Sequence, residues 1–211
     1  MPYFVDSNVI IGYIFDNADT FGKQSKIVLK GVEDIYSGPT VHNECFGIDE
    51  NGKCNTITQK ITREFRRAIK ELKNNLPIDR LLILIKEWKT CQILTEMILN
   101  YKNNIKLLIE IIRASQATFE ADCDFRRNKI DDLVHFCDRD LPYLEIRDKL
   151  EEFIPDPDDV PVVLDAHHVG LKIENLMLIS GNYWDISVYK RQICKNTSLA
   201  DVIYLKYFVA I

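Results

Sequence analysis

The chain has 211 residues and carries 27 Lys and Arg against 32 Asp and Glu, so its formal net charge is −5. With 46% hydrophobic and 28% charged residues, the composition excludes collagen-like, low-complexity and disordered proteins and suits one domain with or without a large insertion. No apolar run approaches the ~20 residues of a membrane span. The six cysteines lack zinc-knuckle spacing, and the N-terminus lacks the features of a signal peptide. We therefore expect a cytoplasmic protein that does not enter a membrane.

Charge is distributed unevenly along the chain. Residues 53–113 contain 13 basic and 6 acidic residues, whereas residues 114–165 contain 6 basic and 15 acidic residues. The basic segment could contact a polyanion and the acidic segment could gather carboxylates, although uneven solvated helix faces are the commoner explanation of such runs.

The first elements alternate between short apolar runs and helical patterns. Residues 3–5 (YFV) predict a buried strand that ends at Asp6, with a helix following it. After a second predicted helix, residues 35–36 predict another strand. A helix or turn over residues 40–48 then carries Glu44.

The middle of the chain has a helical pattern. Residues 56–154 are predicted to be almost wholly helical because apolar residues recur every three or four positions. Residues 74–77 (NNLP) break the first helix. One long helix or two, with a weak point at residues 103–104, cover residues 81–112. Further helices are expected over residues 114–138 and 144–153.

The last part of the chain returns to alternation. A turn-rich break at residues 154–159 (IPDPDD) precedes a predicted helix over residues 160–173. Residues 176–179 (LMLI) predict a buried strand, and residues 180–182 predict a turn.

Strand–helix alternation at both ends of the chain predicts an α/β fold in which helices cover a parallel sheet. The predicted core combines residues 1–52 and 154–211. Residues 53–153 would form a large α-helical insertion or cap.

Acidic side chains follow the predicted strands. Asp6 ends the first strand, Glu44 follows the second, and Asp185 lies just past the late strand, while Asp165 can reach the same crevice from its helix. Carboxylates brought together repel one another unless a cation neutralises them, and all-oxygen ligation favours Mg²⁺ or Mn²⁺. Such a site activates water and stabilises charge on a phosphate during hydrolysis.

Segments at both ends of the chain resemble the motifs of PIN-domain nucleases. YFVDSNVIIGYIF resembles the first motif, in which an acidic residue ends strand one and Asn follows two positions later. GPTVHNECF resembles the second motif, with Glu44 in the acidic position, and LDAHHVGLKIENLMLISGNYWDI resembles the last two. The resemblance covers roughly residues 2–48 and 156–187.

This resemblance implies an α/β sandwich around a parallel sheet and an endoribonuclease that depends on Mg²⁺ or Mn²⁺, in a family that includes toxins of toxin–antitoxin pairs. It implies that Asp6, Glu44 and Asp165 are metal ligands. Asn8 would order the site through hydrogen bonds, and Ser180 takes the position that Thr usually holds. RNA is the implied substrate, and an antitoxin or another protein is an expected partner.

The chain departs from the family pattern at two places. Asn182 stands where the family usually has its fourth acidic residue, and Asp185 is close enough to compensate. The third acidic position has an alternative in Asp159, which precedes Ala166 by seven residues, another spacing of the family. We favour Asp165 here because Ala166 follows it directly, in register with the motif.

Basic residues in the helical middle supply a candidate RNA contact. Lys60, Arg63, Arg67 and Lys70 share one predicted helical face that could bind phosphates. The alternative is a solvated helix face that pairs with Glu64. The long apolar stripe of the same region is either core or the surface of a homodimer.

Two other functions compete with a nuclease. A phosphatase of the haloacid dehalogenase type also has an acidic end of strand one and a helical cap, but Asn8 stands where that family has its second Asp. A PIN-like module that binds RNA or protein without cleaving is the other alternative, because Asn182 weakens the acidic set.

Overall fold

The computed structural model describes residues 1–15, 20–47, 57–85 and 92–209. The five strands among them form one sheet in the order β3-β2-β1-β4-β5, and every neighbouring pair is parallel. This confirms the predicted α/β fold with a parallel sheet. The strands are β1 (Tyr3–Val5), β2 (Ile35–Ser37), β3 (His135–Phe136), β4 (Met177–Ser180) and β5 (Asp201–Tyr204).

The helices account for most of the remaining described residues. In chain order they are α1 (Ser7–Phe15), α2 (Thr20–Gly31), α3 (Pro39–Phe46), α4 (Ile57–Lys73), α5 (Ile78–Ile85), α6 (Gln92–Tyr101), α7 (Ile105–Arg127), α8 (Ile130–Leu133), α9 (Leu144–Glu151), α10 (Asp159–Gly170) and α11 (Lys190–Asn196). None of these helices combines the length and the apolar character that a membrane crossing needs.

The order of the strands determines where a site can form. The chain moves outward from β1 to β2 and β3, then returns to pair β4 with the other side of β1. In open α/β sheets, ligands bind outside the carboxyl ends of the strands at such a reversal. The register aligns Val5 with Ile179, so β1 and β4 end side by side.

Burial on both faces explains why the central strands are continuously apolar rather than alternating. All three residues of β1 are buried, and so are Leu178 and Ile179 in β4.

Strand β3 lies where the sequence predicts a helix over residues 114–138. His135 instead pairs with Tyr36 of β2, and this tertiary pairing overrides the local pattern.

The chain divides into two compact units. The sheet unit combines residues Met1–Ile48 and Arg126–Ile211, and the helical unit spans Asp49–Phe125. The predicted insertion of residues 53–153 therefore extends too far toward the C-terminus. Strand β3 and helix α9 lie in the sheet unit, because β3 completes the sheet edge beside β2.

The helical unit has an apolar core of its own. Its buried side chains include Phe65, Leu72, Leu81 and Leu108. The expected break after α4 is present, with a positive φ of 59° at Asn75. The expected weak point before α7 is also present, and Asn104 accepts a hydrogen bond from the backbone of Leu107 at 3.1 Å.

Candidate active site

Asp6 lies at the point where the strand order reverses. It follows β1, its backbone N–H donates to Ile179 of β4 at 3.1 Å, and its side chain is only 2% exposed. The Ser180 hydroxyl, at the end of β4, donates to Oδ2 of Asp6 at 2.6 Å. The Ser7 N–H donates to Oδ1 at 2.6 Å. Burial raises the pKa of Asp6 in spite of the hydrogen bonds that lower it.

Asn8 connects Asp6 to the loop after β4. Its Nδ2 donates to Oδ2 of Asp6 at 2.7 Å, and its Oδ1 accepts the N–H of Gly181 at 2.6 Å. A Cβ atom at Gly181 would lie 2.9 Å from Oδ1 of Asn8, so the backbone approaches at the distance that glycine permits. The structure therefore places both Asn8 and Ser180, the predicted supporting residues, on the carboxylate of Asp6.

Asp159 begins α10. Burial first, and then the negative charges of other carboxylates, together raise its pKa from 3.8 to about 7. In order of their effect, these belong to Asp6, Asp156, Asp185 and Glu44. Asp159 is thus part of one electrostatic cluster with three of the four acidic residues that the sequence assigned to the metal.

Asn182 links Asp159 to the loop that carries Asp185. Its Nδ2 donates to Oδ2 of Asp159 at 2.7 Å, and its Oδ1 accepts the N–H of Asp185 at 3.2 Å. Asn182 therefore orients a carboxylate of the cluster. Its amide group supplies the hydrogen-bond donor that a fourth aspartate at this position would lack.

Glu44 reaches the cluster from α3. It is exposed as a residue, but partial burial of its carboxyl group is the largest cause that raises its pKa, and a hydrogen bond from Ser7 lowers it. The charges of Asp6, Asp158 and Asp165 raise the pKa further. The carboxylate of Glu44 therefore adds to the repulsion.

Asp165 occupies a different environment. It is 1% exposed, Nε of Arg139 donates to its Oδ1 at 2.5 Å, and the backbone N–H of Thr40 donates to its Oδ2 at 2.9 Å. Both carboxylate oxygens therefore have partners within the chain. Arg139 lies 26 residues away in sequence, and no motif pointed to it.

The donor chemistry of the acidic cluster, formed by Asp6, Glu44, Asp159 and Asp185, fits a hard divalent cation. All four supply carboxylate oxygens, which Mg²⁺ and Mn²⁺ prefer, and a cation would relieve their repulsion. In the described part of the chain, however, no group of three or more His, Cys, Asp or Glu side chains is arranged so that it could hold a metal ion. Cation binding would therefore require these side chains to turn toward one another.

The predicted RNA-binding face lies on α4 of the helical unit. Arg63, Arg67 and Lys70 are exposed, and Arg67 lies 3.7 Å from Glu64. The side chain of Lys60 lies outside the described part of the chain, although its backbone belongs to α4. Exposure of these cations accords with either a phosphate contact or a solvated face.

The adjacent histidines of α10 have separate partners. His167 Nδ1 accepts the N–H of Ser198 at 3.0 Å, whereas His168 Nδ1 lies 2.7 Å from the Tyr143 hydroxyl. Both histidines are buried. They pack within the sheet unit and point to different neighbours, so they do not form a chelating pair.

No family model matches the sequence, and comparison with curated proteins and with solved structures gives no match either.

Proposed function

We propose that this chain is a Mg²⁺- or Mn²⁺-dependent endoribonuclease with a PIN-like sheet unit. The acidic cluster would hold the cation. The observation that carries the proposal is the buried carboxylate of Asp6, which follows β1 and accepts hydrogen bonds from Asn8 and from Ser180 at the end of β4. Burial and the charges of Asp6, Asp185 and Glu44 raise the pKa of Asp159, which supports a shared acidic site. Asp6 follows β1 and the loop that carries Asp185 follows β4, and open α/β sheets bind ligands at the carboxyl ends of such strands.

In this proposal Asp159 takes the ligand role that the motif resemblance assigns to Asp165. Asp159 repels the other carboxylates and so gains from a cation, whereas Asp165 already faces the guanidinium of Arg139. A ligand must be able to exchange its present partners for the metal, and Asp165 would leave Arg139 unpaired. Asp165 is thus predicted to be a ligand by the motif resemblance alone, and this proposal does not use it as one.

When bound, Mg²⁺ or Mn²⁺ offsets the charge that develops on a phosphodiester and helps to activate water for hydrolysis. The residues of the chain orient the ligands. Ser180 and Asn8 donate hydrogen bonds to the carboxylate of Asp6, and Asn182 donates one to that of Asp159. These hydrogen bonds would keep the two carboxylates in place while those of Glu44 and Asp185 turn toward them to bind the cation.

The remaining partners stay predictions from the sequence. The exposed cations Arg63, Arg67 and Lys70 on α4 are the proposed phosphate contacts of the helical unit. An antitoxin or other protein partner, a homodimer and a cytoplasmic location are expected on the grounds given above.

Calorimetric titration with Mn²⁺ and cleavage of a mixed-sequence single-stranded RNA would test the proposal. The wild type should bind Mn²⁺ and cleave, and Asp6→Asn should lose both, because the cluster loses its most buried charge. Asp148→Asn is a matched control, since Asp148 is an exposed residue of α9. A folded wild type that neither binds Mn²⁺ nor cleaves RNA would contradict the proposal.

Two observations favour a second candidate, a PIN-like module that binds RNA without cleaving it. Asn182 brings no charge, and the described acidic side chains are not arranged to hold a metal as they stand. This candidate predicts RNA binding that survives EDTA, with no cleavage at any Mn²⁺ concentration.

A further inference from the structure

Four aromatic residues extend from the acidic cluster along the carboxyl ends of β4 and β5. We propose that this aromatic ladder stacks unpaired nucleotides of the RNA and makes the protein selective for single strands. The inference rests on the proposed function, since it assigns the substrate class of the same site. The ladder consists of Trp184, Tyr183, Tyr204 and Tyr207.

The rings contact one another in sequence, edge to face. The ring centroids of Trp184 and Tyr183 are 5.1 Å apart, those of Tyr183 and Tyr204 are 5.2 Å apart, and those of Tyr204 and Tyr207 are 5.4 Å apart. Tyr204 is the register partner of Ser180, whose hydroxyl donates to the candidate ligand Asp6. The middle of the ladder therefore lies on β5, the strand next to the one whose last residue contacts Asp6.

The ends of the ladder are open to solvent. Trp184 is 74% exposed, Tyr207 is 69% exposed and Tyr183 is 40% exposed. Exposed aromatic side chains that lie together commonly mark a binding surface, because their burial in a complex is favourable. An isolated exposed aromatic residue would need no such explanation.

The loop that carries Trp184 is held by hydrogen bonds. The N–H of Ser187 donates to the carbonyl of Asn182 at 3.1 Å, and the N–H of Val188 donates to that of Tyr183 at 2.9 Å. Asn182 is in turn fixed to Asp159. The ring of Trp184 is thus presented by a loop that is anchored to the acidic cluster.

Charge favours a polyanion as the occupant of this surface. Residues 183–209, which include the whole ladder, contain four basic residues and two acidic residues, Asp185 and Asp201. Lys190 pairs with Asp201 at 2.6 Å, while Arg191, Lys195 and Lys206 are exposed. Stacking rings beside cations are the usual means by which proteins bind single-stranded nucleic acid, whereas the bases of a duplex are already stacked inside it.

Fluorescence anisotropy with a short, labelled RNA tests the ladder without cleavage when it is run in EDTA at low salt. We expect Trp184→Ala to weaken binding of the single strand about 5- to 100-fold, the loss typical of one stacked base. Trp184→Phe should retain most of the affinity, since a ring remains. Neither substitution should change binding of the same sequence as a duplex.

A strand with abasic positions separates stacking from a structural effect. The wild type should bind this strand more weakly than the intact one, whereas Trp184→Ala should bind both with similar affinity. Leu144→Ala is the control, because Leu144 is an exposed apolar residue of α9, away from the ladder in sequence. It should bind as the wild type does.

Two results would overturn the inference. Base stacking at this residue is ruled out by a Trp184→Ala protein with unchanged single-strand affinity, and equally by one that binds the single strand and the duplex more weakly to the same extent. If the wild type still binds Mn²⁺ and cleaves RNA, the proposed function stands and only the ladder fails. A wild type that binds no single-stranded RNA in EDTA contradicts the ladder, and the proposed function fails as well only if the wild type also neither binds Mn²⁺ nor cleaves RNA.

Discussion

Asp159 and Asp165 lie on the same helix, but the structure gives them opposite electrostatic environments. They are six residues apart, which corresponds to about 600° of helical rotation, so their side chains point about 120° apart. Asp159 therefore faces other carboxylates, while Asp165 faces Arg139. The first is held in a repulsive environment and the second in an attractive one.

Asp159→Asn should stabilise the metal-free protein in a pH-dependent manner. The pKa of Asp159 is raised from 3.8 to about 7 on folding, so the folded state binds this proton more tightly than the unfolded state. Ionisation therefore costs stability, with no cost below pH 3.8 and the full cost above pH 7. We expect the variant to gain on the order of 1–3 kcal/mol in free energy of unfolding near pH 8.

Urea unfolding across the pH range measures this effect. The gain should shrink as the pH falls and disappear near pH 4, where the wild-type carboxyl is protonated in the folded state. Asp148→Asn, on the exposed face of α9, should show no such trend. A gain that does not vary between pH 4 and pH 8 would mean that the charge of Asp159 is not its cause.

Asp165→Asn should have the opposite effect on stability. Loss of the carboxylate leaves the guanidinium of Arg139 without its buried counter-charge, and such losses cost about 2–4 kcal/mol. The double variant with Arg139→Gln should recover part of this loss, because no unpaired cation then remains. If Asp165→Asn is as stable as the wild type yet binds no Mn²⁺, Asp165 belongs among the ligands.

At the scale of elements, the close approach of α3 to α10 depends on Gly38. A Cβ atom there would lie 2.4 Å from Cβ of Asp165 and 2.6 Å from its Oδ2. We expect Gly38→Ala to lower the free energy of unfolding by about 1–3 kcal/mol, because the buried side chain cannot move without losing Arg139. Thr40→Ala is the control, since Thr40 contacts Asp165 through its backbone N–H. A Gly38→Ala protein as stable as the wild type would contradict this account.

The strands differ in how well the sequence predicts them. β1, β2 and β4 are short apolar runs next to turn residues. Their positions could be predicted because a strand that is buried on both faces has a continuous run of apolar residues. β3 has only two residues, and its pairing with β2 joins segments about 100 residues apart. Local periodicity carries no information about such pairing, and so the helical prediction extended across it.

At the scale of the whole molecule, the sequence could bring Asp6, Asn8 and Ser180 together because they follow two strands that a parallel sheet must align. The sequence favours Asp165 over Asp159 on the motif register alone, and it contains no local signal of their electrostatic environments. Which of the two carboxylates faces other acidic residues depends on where α10 begins and on the position of Arg139, which lies 26 residues before Asp165 in the sequence. Helix ends and distant ion pairs are tertiary outcomes rather than local patterns.

The acidic cluster also makes stability depend on the cation. Burial raises the pKa of Asp6, and burial together with neighbouring carboxylates raises those of Glu44 and Asp159, so the metal-free fold carries a strain that a bound cation would relieve. Free Mn²⁺ at 100 times its Kd should stabilise the wild type by about 2.7 kcal/mol, or roughly 5–10 °C in Tm. EDTA should reverse the shift.

Thermal unfolding of Asp6→Asn beside the wild type distinguishes this relief from a general effect of divalent cations. The comparison uses the shift that Mn²⁺ causes in each protein, because the metal-free Tm of Asp6→Asn also reflects hydrogen bonds that its amide NH2 cannot accept. Mn²⁺ should raise the Tm of the wild type and leave that of Asp6→Asn unchanged. If both proteins shift equally, Mn²⁺ acts elsewhere on the surface. If the wild type alone shifts, the carboxylate of Asp6 is needed to hold the cation.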